Sequence, residues 1–373
     1  MPGMPDIRPA LAVRARAAMV RSGAGYVKLG QLLSTRPDLI GEGAAREFAV
    51  LQRDVPPHDH GEMAAIALAE ASPLLRRVGA PLACGSIGQV YRAVDAHERP
   101  VVVKVLRPGV YAAATAAMDD VARVLPFRAV RDAIADYRAV MAREVDLHRE
   151  AAALRVFFRE HTGIRIPEVY KCTENALVME YVPSAPLCPS KPSHAVAARA
   201  LVVDLLRLFC VEGVLHTDLH AGNYGFCEES GAPVLYDFGS VIRLPPAAAR
   251  KVVFGVLYRD LGALVDGVVE AGLFREEPSV GVLRFCDQLI SFGDDGELAD
   301  VLRAGAGVPP TTDVGFSTFR ALTTLDAVMG AFGVDVQEVA PAIMRDVALD
   351  ADWLLLLSGR YRPRNLSRAL RSS

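Results

Sequence analysis

The 373-residue sequence predicts an α+β fold: a small strand-rich lobe and a large, mostly helical lobe, preceded by a helical N-terminal extension. Two observations predict it. Branched apolar residues in short runs bounded by turn residues are concentrated in two stretches, 86–106 and 166–181, which reads as strands. Before, between and after them the apolar residues recur at helical spacing. The expected boundaries are 1–80 for the extension, 81–182 for the small lobe and 183–373 for the helical lobe.

Residues 1–24 are basic and alanine-rich and read as helix. Two helical pieces follow over 26–52, broken at Thr35-Arg36-Pro37-Asp38, where proline pushes its predecessor out of the helical region. Pro56-Pro57 ends that unit, and 61–77 reads as another helix, closed by Gly79 and Pro81. Ser86–Ala93 and Pro100–Leu106 then form a hairpin signal. One long helix is expected from about Ala129 to Arg159, and two short strands at Ile166–Cys172 and Ala176–Tyr181. Past Pro183-Ser184 the pattern is helical except around 216–241, with Gly and Pro near 304–310 separating two helix groups.

Bulk properties narrow the function. Half of the residues (51%) are apolar, 23% are charged and the net charge is −3, which excludes a disulfide-stapled miniprotein and a charged disordered tail. A chain of this length can bury roughly 75% of its unfolded surface. There is no global basic excess, so no nucleic-acid partner is expected. The six cysteines form no CxxC pair, which fits free thiols in a reducing cytoplasm and suggests no zinc–thiolate site. No run of 18 apolar residues occurs, so no spanning helix is expected, and the basic N-terminal segment has no continuous apolar core, so no signal peptide is expected. The basic start could still rest peripherally on an anionic membrane.

The chemistry is concentrated in His216-Thr217-Asp218-Leu219-His220-Ala221-Gly222-Asn223 and, fourteen residues after Asn223, Asp237-Phe238-Gly239. Phosphoryl transfer needs a carboxylate to orient the attacking hydroxyl, and an amide with a second carboxylate to hold Mg²⁺ on the phosphates. Asp218, Asn223 and Asp237 are of those types and stand in loop-like positions. His216 and His220 lack a third His or Cys nearby and read as loop-shaping residues rather than zinc ligands.

Lys104 interrupts the apolar run Val101–Val105, so it needs either solvent or a carboxylate. Upstream, Ala83-Cys84-Gly85-Ser86-Ile87-Gly88-Gln89-Val90 matches the G-x-G-x-x-G-x-V pattern of a phosphate-covering hairpin, with Ala83 in place of the first glycine. In a continuous helix Asp146 and Glu150 share a face, and Glu144 lies about 200° around from Asp146. The three acids therefore do not all face the same way, and Glu150 is the expected partner of Lys104.

These motifs in this order resemble the ABC1/ADCK/UbiB family of atypical protein-kinase-like proteins. The resemblance runs from about Tyr26 onward: KxGQ as Lys28-Leu29-Gly30-Gln31, the alanine-rich loop as PLACGSIGQVYRA, the strand lysine in VVVKVLRPG, ExD as Glu144-Val145-Asp146, the hinge-like strand LVMEYV, then HTDLHAGN and YDFG. It implies a bilobal kinase-like fold with ATP and Mg²⁺ in the cleft. On that analogy Lys104, held by Glu150, contacts the phosphates. Asn223 and Asp237 bind Mg²⁺, and Asp218 takes the catalytic-base position. The loop residues Ala83, Cys84, Gly85, Ser86, Gly88 and Val90, with Glu180 and Val182 of the hinge, surround the nucleotide. The family's extension packs over the cleft, which implies a lid of Lys28, Gln31, Glu144 and Asp146. Such a lid favours ATP hydrolysis or a small-molecule or lipid substrate over protein phosphorylation, and the family is linked to ubiquinone biosynthesis and other isoprenoid-quinone or lipid metabolism.

Two departures stand out. The lysine-to-ExD spacing is shorter than is common in the family. Gly85 also stands where the family has alanine, which implies more conventional nucleotide handling. Two other readings compete with the leading one. HTDLHAGN also resembles the catalytic loop of antibiotic phosphotransferases, a group of small-molecule kinases. A non-catalytic ATP-binding regulator or scaffold would need the same nucleotide site.

Overall fold

The computed structural model describes residues 9–34, 40–52, 58–124, 128–159, 163–274, 279–291, 312–335, 338–339, 341–343, 361, 363 and 365. The break expected at Thr35–Asp38, the stop at Pro56-Pro57 and the separator near 304–310 lie outside the described residues. The chain divides into two compact units, one of residues 1–155 and 167–181, the other of 156–166 and 182–373.

The first unit begins with helices α1 (Pro9–Ser22), α2 (Ala24–Ser34), α3 (Glu42–Ala49) and α4 (His60–Ala71). Asp59 caps α4 by accepting the Glu62 N–H at 2.8 Å. Strands β1 (Leu75–Cys84), β2 (Gly88–Asp95) and β3 (Pro100–Leu106) follow. Then come α5 (Val110–Val124), α6 (Arg128–Glu144), α7 (Leu147–Arg159), β4 (Val169–Cys172) and β5 (Ala176–Glu180). The division between units falls inside α7.

The strands form one antiparallel sheet in the order β1-β2-β3-β5-β4. Alternation sorts its two faces. Tyr91, Ala93, Val101, Val103, Val105 and Val178 point to one face and pack with Met63, Ala67 and Ala71 of α4. Val90 and Lys104 are paired across the ladder and fall on the other face. A second core joins the extension to the long helices: Leu29, Ala44, Phe48, Ala114, Met118, Tyr137 and Met141 are buried together.

The sequence reading differs from the fold in two places. The helix expected over 61–77 ends at Ala71, and the residues assigned to its close form β1. That strand hides from pattern reading because it is an edge strand with several register shifts. Its burial does not alternate, and a proline is tolerated in such a setting. The single helix expected over 129–159 is two, interrupted at Val145-Asp146.

The second unit opens with the end of α7, and its long helix α8 (Pro192–Glu212) is buried along most of its length. Gly213 ends α8 with φ +68°, a left-handed cap that glycine adopts without strain. Two short ladders follow: β6 (Val214–His216) pairs with β9 (Val241–Arg243), and β7 (Tyr224–Phe226) with β8 (Pro233–Leu235). Helices α9 (Pro246–Leu257), α10 (Leu261–Glu270), α11 (Val280–Ser291) and α12 (Asp313–Phe332) complete its described part. Buried Asp266 accepts from the Tyr361 hydroxyl at 2.5 Å and the Asn365 N–H at 2.6 Å, which ties the later chain to α10. Among the described residues no helix is long and apolar enough to cross a membrane.

Candidate functional site

In the first unit Lys104 sits mid-strand on β3, and its ammonium donates to both carboxylate oxygens of Glu150 at 2.8 Å. Lys104 is 7% exposed and Glu150 1%, so this is a buried pair whose desolvation is offset by close bidentate geometry. Glu150 reaches the lysine because α7 starts afresh at Leu147. The Asp146 carboxylate accepts the Arg149 N–H at 3.0 Å and caps that helix, placing Glu150 in its first turn.

The interruption also separates the two ExD acids. Glu144, at the end of α6, forms an ion pair with Lys28 of α2. Asp146 is exposed and occupied with its cap. The lid expectation groups Asp146 with Lys28, Gln31 and Glu144. Among the described residues Lys28 meets Glu144, and Asp146 has a different task. Gln31 donates from Nε2 to the Leu51 carbonyl at 2.8 Å. Gly30 is small for packing reasons, since a Cβ there would run into Leu51 and Met19. Each position of Lys28-Leu29-Gly30-Gln31 thus has a physical task, with Leu29 in the core.

The alanine-rich loop connects β1 to β2. Ala83 and Cys84 end β1, in register with Val90 and Gln89 of β2. Gly85 and Ser86 form the turn, closed by the Gly85 N–H donating to the Gly88 carbonyl at 2.9 Å. Gly88 lies close to the backbone of β3, where a Cβ would press on the Val105 carbonyl at 2.6 Å. At Gly85 a Cβ would meet only the Gly88 carbonyl at 3.3 Å, and the residue has no left-handed φ. Its small size matters there more than conformational freedom. Glu180 ends β5, where its N–H donates to the Glu168 carbonyl at 2.8 Å and its carboxylate accepts the Glu168 N–H at 3.3 Å, and Val182 is buried against Cys227 and Val234 in the second unit.

In the second unit the segment 216–223 and the segment 237–240 are held together by hydrogen bonds. His216 Nδ1 accepts the Asp218 N–H at 3.3 Å, so the ring proton is on Nε2, which donates to the Asp237 carbonyl at 2.6 Å. Burial holds the His216 pKa below the ordinary imidazole value, against the opposing effect of the Asp237 carbonyl. Phe238 stacks edge-on against both His216 (5.7 Å) and Phe157 (4.7 Å), which buries the middle of Asp-Phe-Gly. Asn223 donates from Nδ2 to the Asp218 carbonyl at 2.9 Å, and Asp237 Oδ1 accepts the Gly239 N–H at 2.8 Å. His220 Nε2 stands 3.9 Å from Asp218 Oδ2, while its Nδ1 accepts the Gly222 N–H at 3.0 Å.

The donor set suits a hard cation. Asn223 uses its amide nitrogen on the loop, which turns its oxygen away from that bond, and Asp237 adds carboxylate oxygen. Among the described residues no three His, Cys, Asp or Glu gather into a full metal cage. Mg²⁺ characteristically keeps waters and phosphate oxygens and takes one or two protein ligands, and an amide oxygen and a carboxylate are of the oxygen type it accepts. All six cysteines are free, and burial pushes the Cys210 and Cys286 thiols up to about 12.

The sequence reading missed Arg320. It stands on α12, and its Nε donates to the Thr217 carbonyl at 2.8 Å. No local signal marks it, because its partners lie 80 and 103 residues away in the chain.

A sheet lobe with a buried lysine–glutamate pair, followed by a helical unit with an HxDxHxGN loop and Asp-Phe-Gly, defines a kinase-like protein. Residues 76–261 match the ABC1 atypical kinase-like domain, and the chain belongs to that family. Proteins named "Probable protein kinase UbiB" are similar. The one from Shewanella oneidensis is 33% identical over 299 residues, covering 71% of this chain and 54% of the relative. The one from Cellvibrio japonicus is 31% identical over 301 residues, covering 72% and 54%. The chain thus spans about half the length of these relatives. Among solved structures, the Rv3197–erythromycin complex from Mycobacterium tuberculosis superposes with a TM-score of 0.50 at 19% identity, covering 86% of this chain and 92% of that one, a likeness of fold.

Proposed function

We propose that the protein is an ATP- and Mg²⁺-dependent atypical kinase-like enzyme, an ATPase or a phosphotransferase acting on a small-molecule or lipid acceptor. One observation carries this reading: Asp218, Asn223 and Asp237 stand on two short segments that share hydrogen bonds through His216. A bound Mg²⁺ would neutralise phosphate charge, and Asn223 and Asp237 are the residues that would hold it. Asp218 is left to orient an attacking hydroxyl or water and to accept its proton. Lys104, fixed by Glu150, offers a phosphate-binding cation that burial and its partner keep in one place. Phosphoryl transfer draws mostly on such positioning and charge. The Lys28–Glu144 pair supports the reading of the extension as a lid that disfavours large protein acceptors. A link to isoprenoid-quinone metabolism follows from family likeness alone.

The test is phosphate release by the purified protein with Mg-ATP, alone and with quinone precursors or lipids. Turnover that Asp237→Ala abolishes is the expected result. Full activity in Asp237→Ala overturns the metal assignment. ATP binding without product under every condition favours a nucleotide-binding scaffold instead.

A further inference from the structure

We propose that Arg320 is a positioning residue that clamps the loop pair bearing Asp218 and Asp237, which brings helix α12 into the chemistry. The inference rests on the reading of that loop pair as a phosphoryl-transfer site. Thr217 immediately precedes Asp218, and Ser240 immediately follows Asp-Phe-Gly. The β6–β9 ladder ends at His216 paired with Val241, one residue short of both. Beyond that end the two segments are joined by Thr217 and Ser240. The Thr217 N–H donates to the Ser240 carbonyl at 2.8 Å, and the two hydroxyls lie 2.7 Å apart.

The guanidinium of Arg320 closes this junction from the side of α12. Nε donates to the Thr217 carbonyl at 2.8 Å, and Nη2 donates to Ser240 Oγ at 2.8 Å. The third nitrogen, Nη1, lies 4.0 Å from Asp218 Oδ1. One rigid planar fork therefore touches both segments and faces the carboxylate that the reaction would use. A lysine has a single donor head and cannot meet two separated acceptors in the same way. The platform beneath it is fixed. Phe319 packs at 4.9 Å from Phe285 and 5.7 Å from Phe274. Thr312 caps α12 by accepting the Gly315 N–H at 3.0 Å and donates to the Gly272 carbonyl at 2.8 Å.

The position of Asp218 relative to Asp237 is thus set twice, from inside by His216 and from outside by Arg320. Loss of the outer contact would let one segment slide against the other. Displacements of about 1 Å at a reacting group can cost on the order of 100-fold in rate.

The experiment compares wild type, Arg320→Ala and Arg320→Lys as full chains, by Mg-ATP turnover and by amide hydrogen exchange. Arg320→Ala is expected to lower kcat by about 100-fold with KM for ATP nearly unchanged. Arg320→Lys should recover only part of that loss, and added methylguanidinium should raise the Arg320→Ala rate. Exchange should quicken in peptides covering 216–223 and 237–241 while the rest of the chain keeps its protection. Wild-type kcat in Arg320→Ala overturns the proposal. So does a loss of activity accompanied by faster exchange throughout α12 and its neighbours, which would make Arg320 a general anchor. If wild type itself shows no turnover, the phosphoryl-transfer reading falls. Exchange then decides separately, and unchanged protection of the two peptides in Arg320→Ala overturns the clamp. Should Arg320→Ala fail to fold, Arg320→Gln, which keeps one donor, carries the same comparison.

Discussion

Lys104 and Glu150 bond to each other from positions 46 residues apart, inside a sheet lobe where an unpartnered charge would be expensive. Lys104→Met leaves the Glu150 carboxylate buried without its lysine and is expected to lower stability by about 3–5 kcal/mol. Replacing both, as Lys104→Met with Glu150→Leu, should recover most of that loss. Urea unfolding midpoints of the two variants check it, and equal midpoints would refute it. His216 gives the pH counterpart. Its folded pKa lies below the unfolded value of about 6.5, so the unfolded chain binds more protons in the interval between them. Its contribution to stability is therefore complete above about pH 6.5 and falls as pH drops through that interval. His216→Asn should flatten this part of the stability–pH curve in denaturant titrations from pH 7.5 to 5. Both roles are partly legible in the sequence. A lysine in an apolar strand needs solvent or a carboxylate, and a histidine two residues before an aspartate can brace a loop. Which ring nitrogen carries the proton depends on the fold.

At the scale of elements, the break between α6 and α7 decides more than any motif. A continuous helix would fix Glu144, Asp146 and Glu150 by periodicity alone. The interruption at Val145-Asp146 instead gives the three acids three tasks: an ion pair with Lys28, a helix cap and the lysine partner. A cap aspartate before Leu-His-Arg-Glu is a recognisable start signal, but an unbroken helical period on both sides masks it. The β1–β2 loop carries a further prediction. At Gly85 a methyl group would meet the Gly88 carbonyl at 3.3 Å and no strained backbone, so Gly85→Ala should fold with stability close to wild type. Its effect should fall on nucleotide handling, as a several-fold change in Mg-ATP affinity and autophosphorylation. Equal affinity and autophosphorylation in the two proteins would show that backbone approach at this glycine is unimportant.

For the whole molecule, the class is legible from the residue pattern alone. Motif order and the switch from helical to strand periodicity and back specify a kinase-like α+β chain, because alternation and turn residues are local properties. The sequence also supplies the chemical inventory of lysine, acids and amide, since residue type limits what a site can do. Packing, by contrast, sets the division of the chain, which falls inside α7 and returns 167–181 to the first unit. It decided that Leu75–Cys84 is an edge strand whose irregular register leaves no pattern to read. It also placed Arg320 on the loop pair from far along the chain. The physical reason is the same in each case. Sequence spacing encodes contacts one turn or one hairpin apart. Contacts made by packing elements against one another depend on where whole helices come to rest, and a buried guanidinium or carboxylate takes its partner from whatever that packing brings within about 3 Å.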